Sequence, residues 1–175
     1  IFAVDSSFLK VFPLQLLHGD NRSALLGDSK ILLSETLALK YFNSTDVVNK
    51  ALRWEGMGDF VITGVFKDLP SNSHMKFNAL TSWMYVYEDR SKWNWDGFYT
   101  YLLLNPNTNF AALQEKVQHV LEKRMMESAV DKNVRVASKF FIQPLDDIHL
   151  TSNLAGEMEP NGNYAIINTL LMVAT

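Results

Sequence analysis

Residues 51–66 read Ala51-Leu52-Arg53-Trp54-Glu55-Gly56-Met57-Gly58-Asp59-Phe60-Val61-Ile62-Thr63-Gly64-Val65-Phe66. Gly56-Met57-Gly58-Asp59 is a turn, and the arms on either side, 51–55 and 60–66, are rich in β-branched and aromatic residues. The stretch therefore predicts a hairpin. In the first arm Leu52 and Trp54 alternate with Arg53 and Glu55, which leaves one face wet. In the second arm Phe60, Ile62 and Phe66 oppose Val61 and Val65, which predicts cover on both faces. A strand covered on both faces needs neighbours, and the rest of the chain must supply them.

Upstream, residues 1–5 read as a strand. Asp5 or Ser6 can cap a short helix in which Phe8, Val11 and Phe12 fall at helical spacing. Pro13 ends that helix, because it lacks an N–H and its ring clashes with the preceding turn. Gly19-Asp20-Asn21 is a turn. Ile31-Leu32-Leu33 is a short buried strand. Ser34 is placed to cap a helix reaching about Phe42, with Leu37, Ala38, Tyr41 and Phe42 on one side.

Downstream, residues 68–73 form a loop and 76–83 a strand. Residues 98–104 predict an aromatic strand, broken by Asn105-Pro106-Asn107-Thr108-Asn109. Asn109 caps the longest helix, with Phe110, Leu113, Val117, Val120 and Leu121 on one stripe and an end near Met126. A last strand is expected over 136–145. Strand, long helix, strand is a βαβ-like order, and with the hairpin it predicts an α+β fold.

Composition narrows the function. The chain has 175 residues, 47% hydrophobic and 20% charged, as in an ordinary globular protein. At that length folding hides roughly 70% of the unfolded surface, enough for a full core in one domain or two small lobes. The formal charge is −3, with no basic excess to neutralise phosphates, which argues against nucleic acid as a partner. There are no cysteines, which excludes disulfides, thiolate metal sites and thiol nucleophiles. No signal peptide opens the chain, and the lack of an initiator Met suggests a fragment of something longer. No run of 18 apolar residues occurs. The apolar stretch 164–175 reads either as a buried terminal element or as the opening of a membrane helix.

Candidate chemistry is sparse. Asp146, Asp147 and His149 could offer a metal two carboxylates and an imidazole. On an extended chain, however, Asp147 and His149 project together and Asp146 faces away, so a surface turn is the better account. Ser6 and Ser7 lack the flanking glycines of a nucleophile elbow, and capping explains them. Glu157 and Glu159 flank Met158 in a polar loop, where solvated charge is the default. Trp83, Trp93 and Trp95 could make a sugar or peptide platform, but packing accounts for them more simply. Without G-x-G-x-x-G or G-x-x-x-x-G-K-[ST], no phosphate cradle is present. No catalytic, cofactor-binding or metal residue is assigned, and no cofactor is expected.

Four strings carry a resemblance. The first is Val4-Asp5-Ser6-Ser7-Phe8, then Val11-Phe12-Pro13-Leu14 and Leu17-His18-Gly19-Asp20. The second is Leu33-Ser34-Glu35-Thr36-Leu37-Ala38 through Lys40-Tyr41-Phe42. The third and most specific is Thr63-Gly64-Val65-Phe66-Lys67-Asp68-Leu69-Pro70-Ser71-Asn72-Ser73-His74. The fourth is Gln143-Pro144-Leu145-Asp146-Asp147-Ile148-His149-Leu150, then Ser152-Asn153-Leu154 and Asn161-Gly162-Asn163. Their order and spacing, over nearly the whole chain, resemble the MacB-like periplasmic core domain of FtsX/MacB-type ABC transporter permeases.

The resemblance implies an extracytoplasmic, periplasmic domain inserted between two membrane helices of an inner-membrane permease. It implies a mixed-sheet, porter-like βαβ lobe, about 1–45 and 96–155, with an inserted, mostly β lobe at about 46–95. Residues 164–175 would then start a transmembrane helix. Family members carry several dozen residues ahead of the Val-Asp-Ser-Ser-Phe string, so part of the porter-like lobe is expected to be absent. The implied function is non-catalytic: coupling cytoplasmic ATP hydrolysis to export or to handling of proteins outside the membrane. Implied partners are the parent's own transmembrane helices, a cytoplasmic ABC ATPase, a periplasmic adaptor or substrate protein, and a second copy, since the family assembly is dimeric. Asp68, Pro70, Asn72 and His74 are expected to fix a tight interlobe loop, and Pro144 and Asp147 a similar one. Two rivals are a free-standing ligand-binding or sensor domain, which needs a closed apolar pocket, and a small enzyme using Asp146, Asp147 and His149.

Overall fold

The computed structural model describes residues 1–82, 98–128, 139–148 and 158. The chain divides into two compact units, Ile1–Arg90 and Ser91–Thr175. The trailing expectations for Trp83, Trp93, Trp95, His149, Glu157, Glu159, 161–163 and 164–175 lie outside the described residues.

The first unit is a mixed six-stranded sheet. Its strands are β1 (Phe2–Val4), β2 (Leu16–Gly19), β3 (Lys30–Ser34), β4 (Ala51–Trp54), β5 (Gly58–Phe66) and β6 (Ala79–Ser82). The order is β1-β6-β3-β5-β2, with β4 also on β5. β3 is the central strand, parallel to β5 and antiparallel to β6. Ile31, Leu32 and Leu33 are wholly buried, which is why a continuous apolar run, and not an alternating one, encodes this strand.

The helix α2 (Glu35–Phe42) carries the chain from β3 towards β5. Parallel neighbours cannot be joined by a tight turn, so a crossover is required. The parallel strand–helix–strand unit of this chain is thus β3-α2-β5, with β4 added as a hairpin arm. Ser34 caps α2 as expected, its Oγ accepting from the Leu37 N–H at 3.2 Å. Asn43 closes it in the left-handed region (φ 53°), which a short polar side chain tolerates. Ala38 is buried and Leu37 and Phe42 pack beside it, but Tyr41 turns to solvent, with the Lys40 ammonium 5.8 Å from its ring centre.

The hairpin lies in the same sheet as the strands drawn from residues 1–45. β4 and β5 were expected to start an inserted lobe, yet β5 bonds to β3 on one side and to β2 and β4 on the other. The cover of β5 also differs from strict alternation. Phe60, Ile62 and Val65 share one core cluster, and Val61 is 36% exposed. The cause is a bulge. Ile31 faces Ile62, but Leu32 faces Gly64, so Thr63 is an extra residue and every side chain after it changes face.

One face of the sheet packs on α2 and Val47. The other carries an aromatic cluster. Phe77 lies 5.6 Å from Phe2, 6.1 Å from Phe8 and 5.6 Å from Phe66 between ring centres. Helix α1 (Phe8–Val11) supplies Phe8 and the buried Leu9. Its entry is set by Asp5, whose Oδ1 accepts from the Ser7 N–H at 2.8 Å and the Ser7 hydroxyl at 2.6 Å. Ser7 occupies the cap position itself without a side-chain cap bond, so Asp5 acts two residues earlier than a cap would.

The second unit holds α3 (Phe110–Ser128). The Asn109 Oδ1 accepts from the Ala112 N–H at 3.0 Å, the expected cap. The expected apolar stripe is only partly covered: Leu113, Val117 and Leu121 are half-buried, and Phe110 and Val120 are exposed. Residues 98–104 and 139–144 form no strand, and Leu145–Asp147 is a 3-10 turn. Local β propensity did not decide these segments, because a strand forms only where a neighbour takes up its backbone groups.

The burial pattern predicts a contrast. Leu32→Ala should cost about 2–5 kcal/mol of stability, and Val61→Ala at most about 0.5 kcal/mol. Urea unfolding midpoints of the two variants check it.

Candidate functional site

The first three strings meet at one place, the far end of β5. Gly19 of the first string faces Gly64 of the third across the antiparallel β2–β5 pair. A Cβ on Gly64 would sit 2.7 Å from the His18 carbonyl oxygen and 2.8 Å from Leu32 Cδ2. A Cβ on Gly19 would sit 2.4 Å from the Thr63 carbonyl oxygen, and its φ of +98° is one that side chains rarely adopt. The two glycines therefore let the strands come closer than any pair of larger residues could. The register also slips between Leu16 and His18, leaving Leu17 as an extra residue between the partners of Phe66 and Val65.

Thr63 secures the irregular stretch. Its hydroxyl is 2.6 Å from the Ala24 carbonyl and 3.2 Å from the Ile31 carbonyl, tying the 20–29 loop to β3 where the ladder is interrupted. That loop is closed by Asp20, whose carboxylate accepts from the Arg22 N–H at 3.2 Å and the Ser23 hydroxyl at 3.0 Å. These hydrogen bonds hold Asp20 below its ordinary value. His18 Nε2 lies 3.3 Å from Thr45 Oγ1 and joins β2 to the segment after α2.

Asp68 joins the second and third strings. It accepts from the Thr36 N–H at 3.1 Å and the Thr36 hydroxyl at 2.5 Å, at the first turn of α2. Burial pushes this carboxyl up, but the hydrogen bonds from Thr36 and from the Ser34 hydroxyl outweigh it and leave Asp68 below its ordinary value of 3.8. A negative charge there also faces the positive end of the helix dipole.

The loop that follows is built locally. The Ser73 N–H donates to the Pro70 carbonyl at 3.0 Å, and the Met75 N–H to the Ser73 hydroxyl at 3.2 Å. His74 lies beside Phe12, the rings tilted by 55° with centres 6.1 Å apart, and Asn72 is exposed. The loop joins β5 to β6, two strands of one sheet. Its residues thus fix a connection inside the first unit.

The remaining candidates are placed as follows. Ser7 is engaged with Asp5, and Ser6 is exposed. Asp146 and Asp147 are exposed on the 3-10 turn, which the Asp147 N–H closes on the Pro144 carbonyl at 3.1 Å. Among the described residues, no three acidic or histidine side chains gather where they could hold a metal. A depression along α3, lined by His119, Glu122, Lys123, Met126 and Glu127, is open and rimmed with charge, unlike the closed apolar pocket of a sensor domain. The Gly19–Gly64 crossing was missed by motif reading, although two glycines flanked by apolar residues were its signal.

Comparison with known proteins decides what this arrangement belongs to. The family described as the MacB-like periplasmic core domain matches residues 1–120. The chain belongs to this family. The first three strings lie inside the matched residues, and the fourth lies beyond them. A solved domain of a protein described as a permease, from Porphyromonas gingivalis, is 27% identical with a TM-score of 0.53, over 71% of this chain and 54% of that one. The periplasmic region of MacB from Actinobacillus actinomycetemcomitans is 14% identical with a TM-score of 0.49, over 72% of this chain and 56% of that one. The chain thus spans about half the length of the solved structures it matches. No curated protein matches it.

As a MacB-like periplasmic core domain, the chain is an α+β periplasmic domain of the ABC transporter permease family, a family of generally non-catalytic domains of membrane permeases. Among the described residues no helix is long and apolar enough to cross a membrane.

Two predictions follow from the junction. Gly64→Ala should cost roughly 1–3 kcal/mol by overpacking, and Gly19→Ala more, because the positive φ adds to the clash; urea unfolding measures both. Asp68→Ala should remove a helix-capping group worth about 1 kcal/mol at neutral pH. Because the folded carboxyl titrates below its ordinary value, its contribution is present above pH 3.8 and lost as the pH falls through the folded value. The gap in melting temperature between the unaltered chain and the variant should therefore be full at pH 7 and close below pH 3.8.

Proposed function

We propose that this chain is a passive coupling element on the outer side of the membrane, without reacting groups of its own. In this reading it belongs to a permease whose cytoplasmic ABC ATPase drives motion across the bilayer, and it passes that motion to a substrate or adaptor protein in the periplasm. The observation that carries it is family membership over residues 1–120. The chemistry agrees with it. The polar side chains of the first three strings, Ser34, Thr36, Thr63 and Asp68, hydrogen-bond the chain's own backbone and one another. A central strand buried on both faces suits a body that must move without deforming.

Export or efflux, a dimeric parent and contact with the parent's transmembrane helices belong to the same proposal. Residues 164–175 would open one of those helices. Assigning no role to Asp146, Asp147 and His149 in chemistry is also part of it.

The test uses the parent permease with its ATPase in vesicles. Spin labels at Arg53 and Lys116, both at exposed positions, should report a distance distribution that changes when an unhydrolysable ATP analogue is added. His149→Ala should keep that response. Distances unchanged through the ATP cycle would overturn coupling. Loss of the response in His149→Ala, with melting unchanged, would give that histidine a direct role.

A further inference from the structure

Gln114 and Gln118 lie one turn apart on α3, so their side chains share a face at a spacing of about 6 Å. Backbone groups that point to the same side of an extended chain recur every second residue, at roughly 7 Å. The two spacings nearly match, and the structure uses the match. Gln114 Nε2 donates to the Phe140 carbonyl at 2.7 Å, and Gln114 Oε1 accepts from the Ile142 N–H at 2.5 Å. One side-chain amide thus addresses the pair of groups that a neighbouring strand would take. Gln118 Oε1 accepts from the Phe140 N–H at 2.6 Å. Gln118 Nε2 in turn donates to the Glu122 carboxylate, which fixes the amide with its oxygen towards the strap.

We propose that Gln114 and Gln118 form a latch that holds residues 140–142 against α3 by their backbone, and that this strap opens as a unit while α3 stays folded. Apolar packing does not close the strap fully: Phe140 and Ile142 are partly covered, but Phe141 between them is 56% exposed. Side-chain amides bonded to backbone add only modestly to stability once exchange with water is counted. Opening therefore costs far less than unfolding, which places the strap at the low-stability end of the molecule. Gln114 and Gln118 act here as positioning residues, and Glu122 orients one of them.

Amide hydrogen exchange on the whole chain, read residue by residue, tests this. Phe140 and Ile142 should be protected by about tenfold or more over unstructured rates. Phe141, whose N–H in an extended chain points away from α3, should not be. Gln118→Ala should strip Phe140, and Gln114→Ala should strip Ile142, with the amides of β3 and of 113–121 unchanged as the check on folding. Gln114→Glu keeps the acceptor and should restore Ile142. The latch is overturned if Phe140 and Ile142 exchange at unstructured rates in the unaltered chain. It is also overturned if Phe141 is protected along with them, as in a strand paired on both edges, or if the alanine variants keep their protection.

Discussion

One extra residue, Thr63, governs the first unit. It interrupts the ladder between β3 and β5, and the side chains beyond it change face. That turn of the strand places Val65 with Phe60 and Ile62 on the side of α2, and leaves Phe66 for the aromatic cluster on the other side. A single long strand thereby serves two cores. The interruption is bridged on the spot, since the Thr63 hydroxyl reaches the Ile31 carbonyl. The adjacent Gly64 must then lack a side chain, because a Cβ there would sit 2.7 Å from the His18 carbonyl oxygen of β2.

The polar residues around this crossing work inward. Asp68 holds the first turn of α2, Ser34 caps it, Asp20 closes a loop and Asp5 shapes the entry to α1. Each satisfies backbone groups that a turn or helix end leaves open. These groups sit at the joints of the first unit, where they hold strands, helix ends and loops in place. The charge-rimmed depression on α3 offers no comparable convergence of groups.

Much of the first unit was legible in the sequence, because local signals and burial agreed there. The run Ile31-Leu32-Leu33, the cap at Ser34 and the stop at Pro13 each have one physical reading, and the structure follows it; the hairpin is there too, but its turn is tighter than expected, at 55–57, with Gly58 and Asp59 already paired in β5. β2 escaped because Leu16-Leu17-His18-Gly19 carries no alternation; its register slips in the middle. That β4 and β5 pair into the same sheet as β2 and β3 was not legible, because strand pairing is set by distant partners, which no local pattern encodes. The strands expected at 98–104 and 136–145 rested on propensity alone, and propensity does not supply a neighbour. Asp68 was rightly placed in a tight loop, but its partner Thr36, 32 residues away, could not be read from spacing. The fourth string falls outside the family match, so the resemblance there rests on the sequence pattern.

The outermost pairing, Phe2 with Leu80, joins the first strand to the last of its sheet. A chain threaded across a membrane from its N-terminus would therefore hold β1 in waiting until β6 had emerged behind it. Loop closure over such a span is slow compared with forming a helix or hairpin. The hairpin β4–β5 and the crossover through α2 can assemble early, and the sheet is completed late. Until then the backbone edge of β1 that β6 will cover stays unpaired, as an open strand template does.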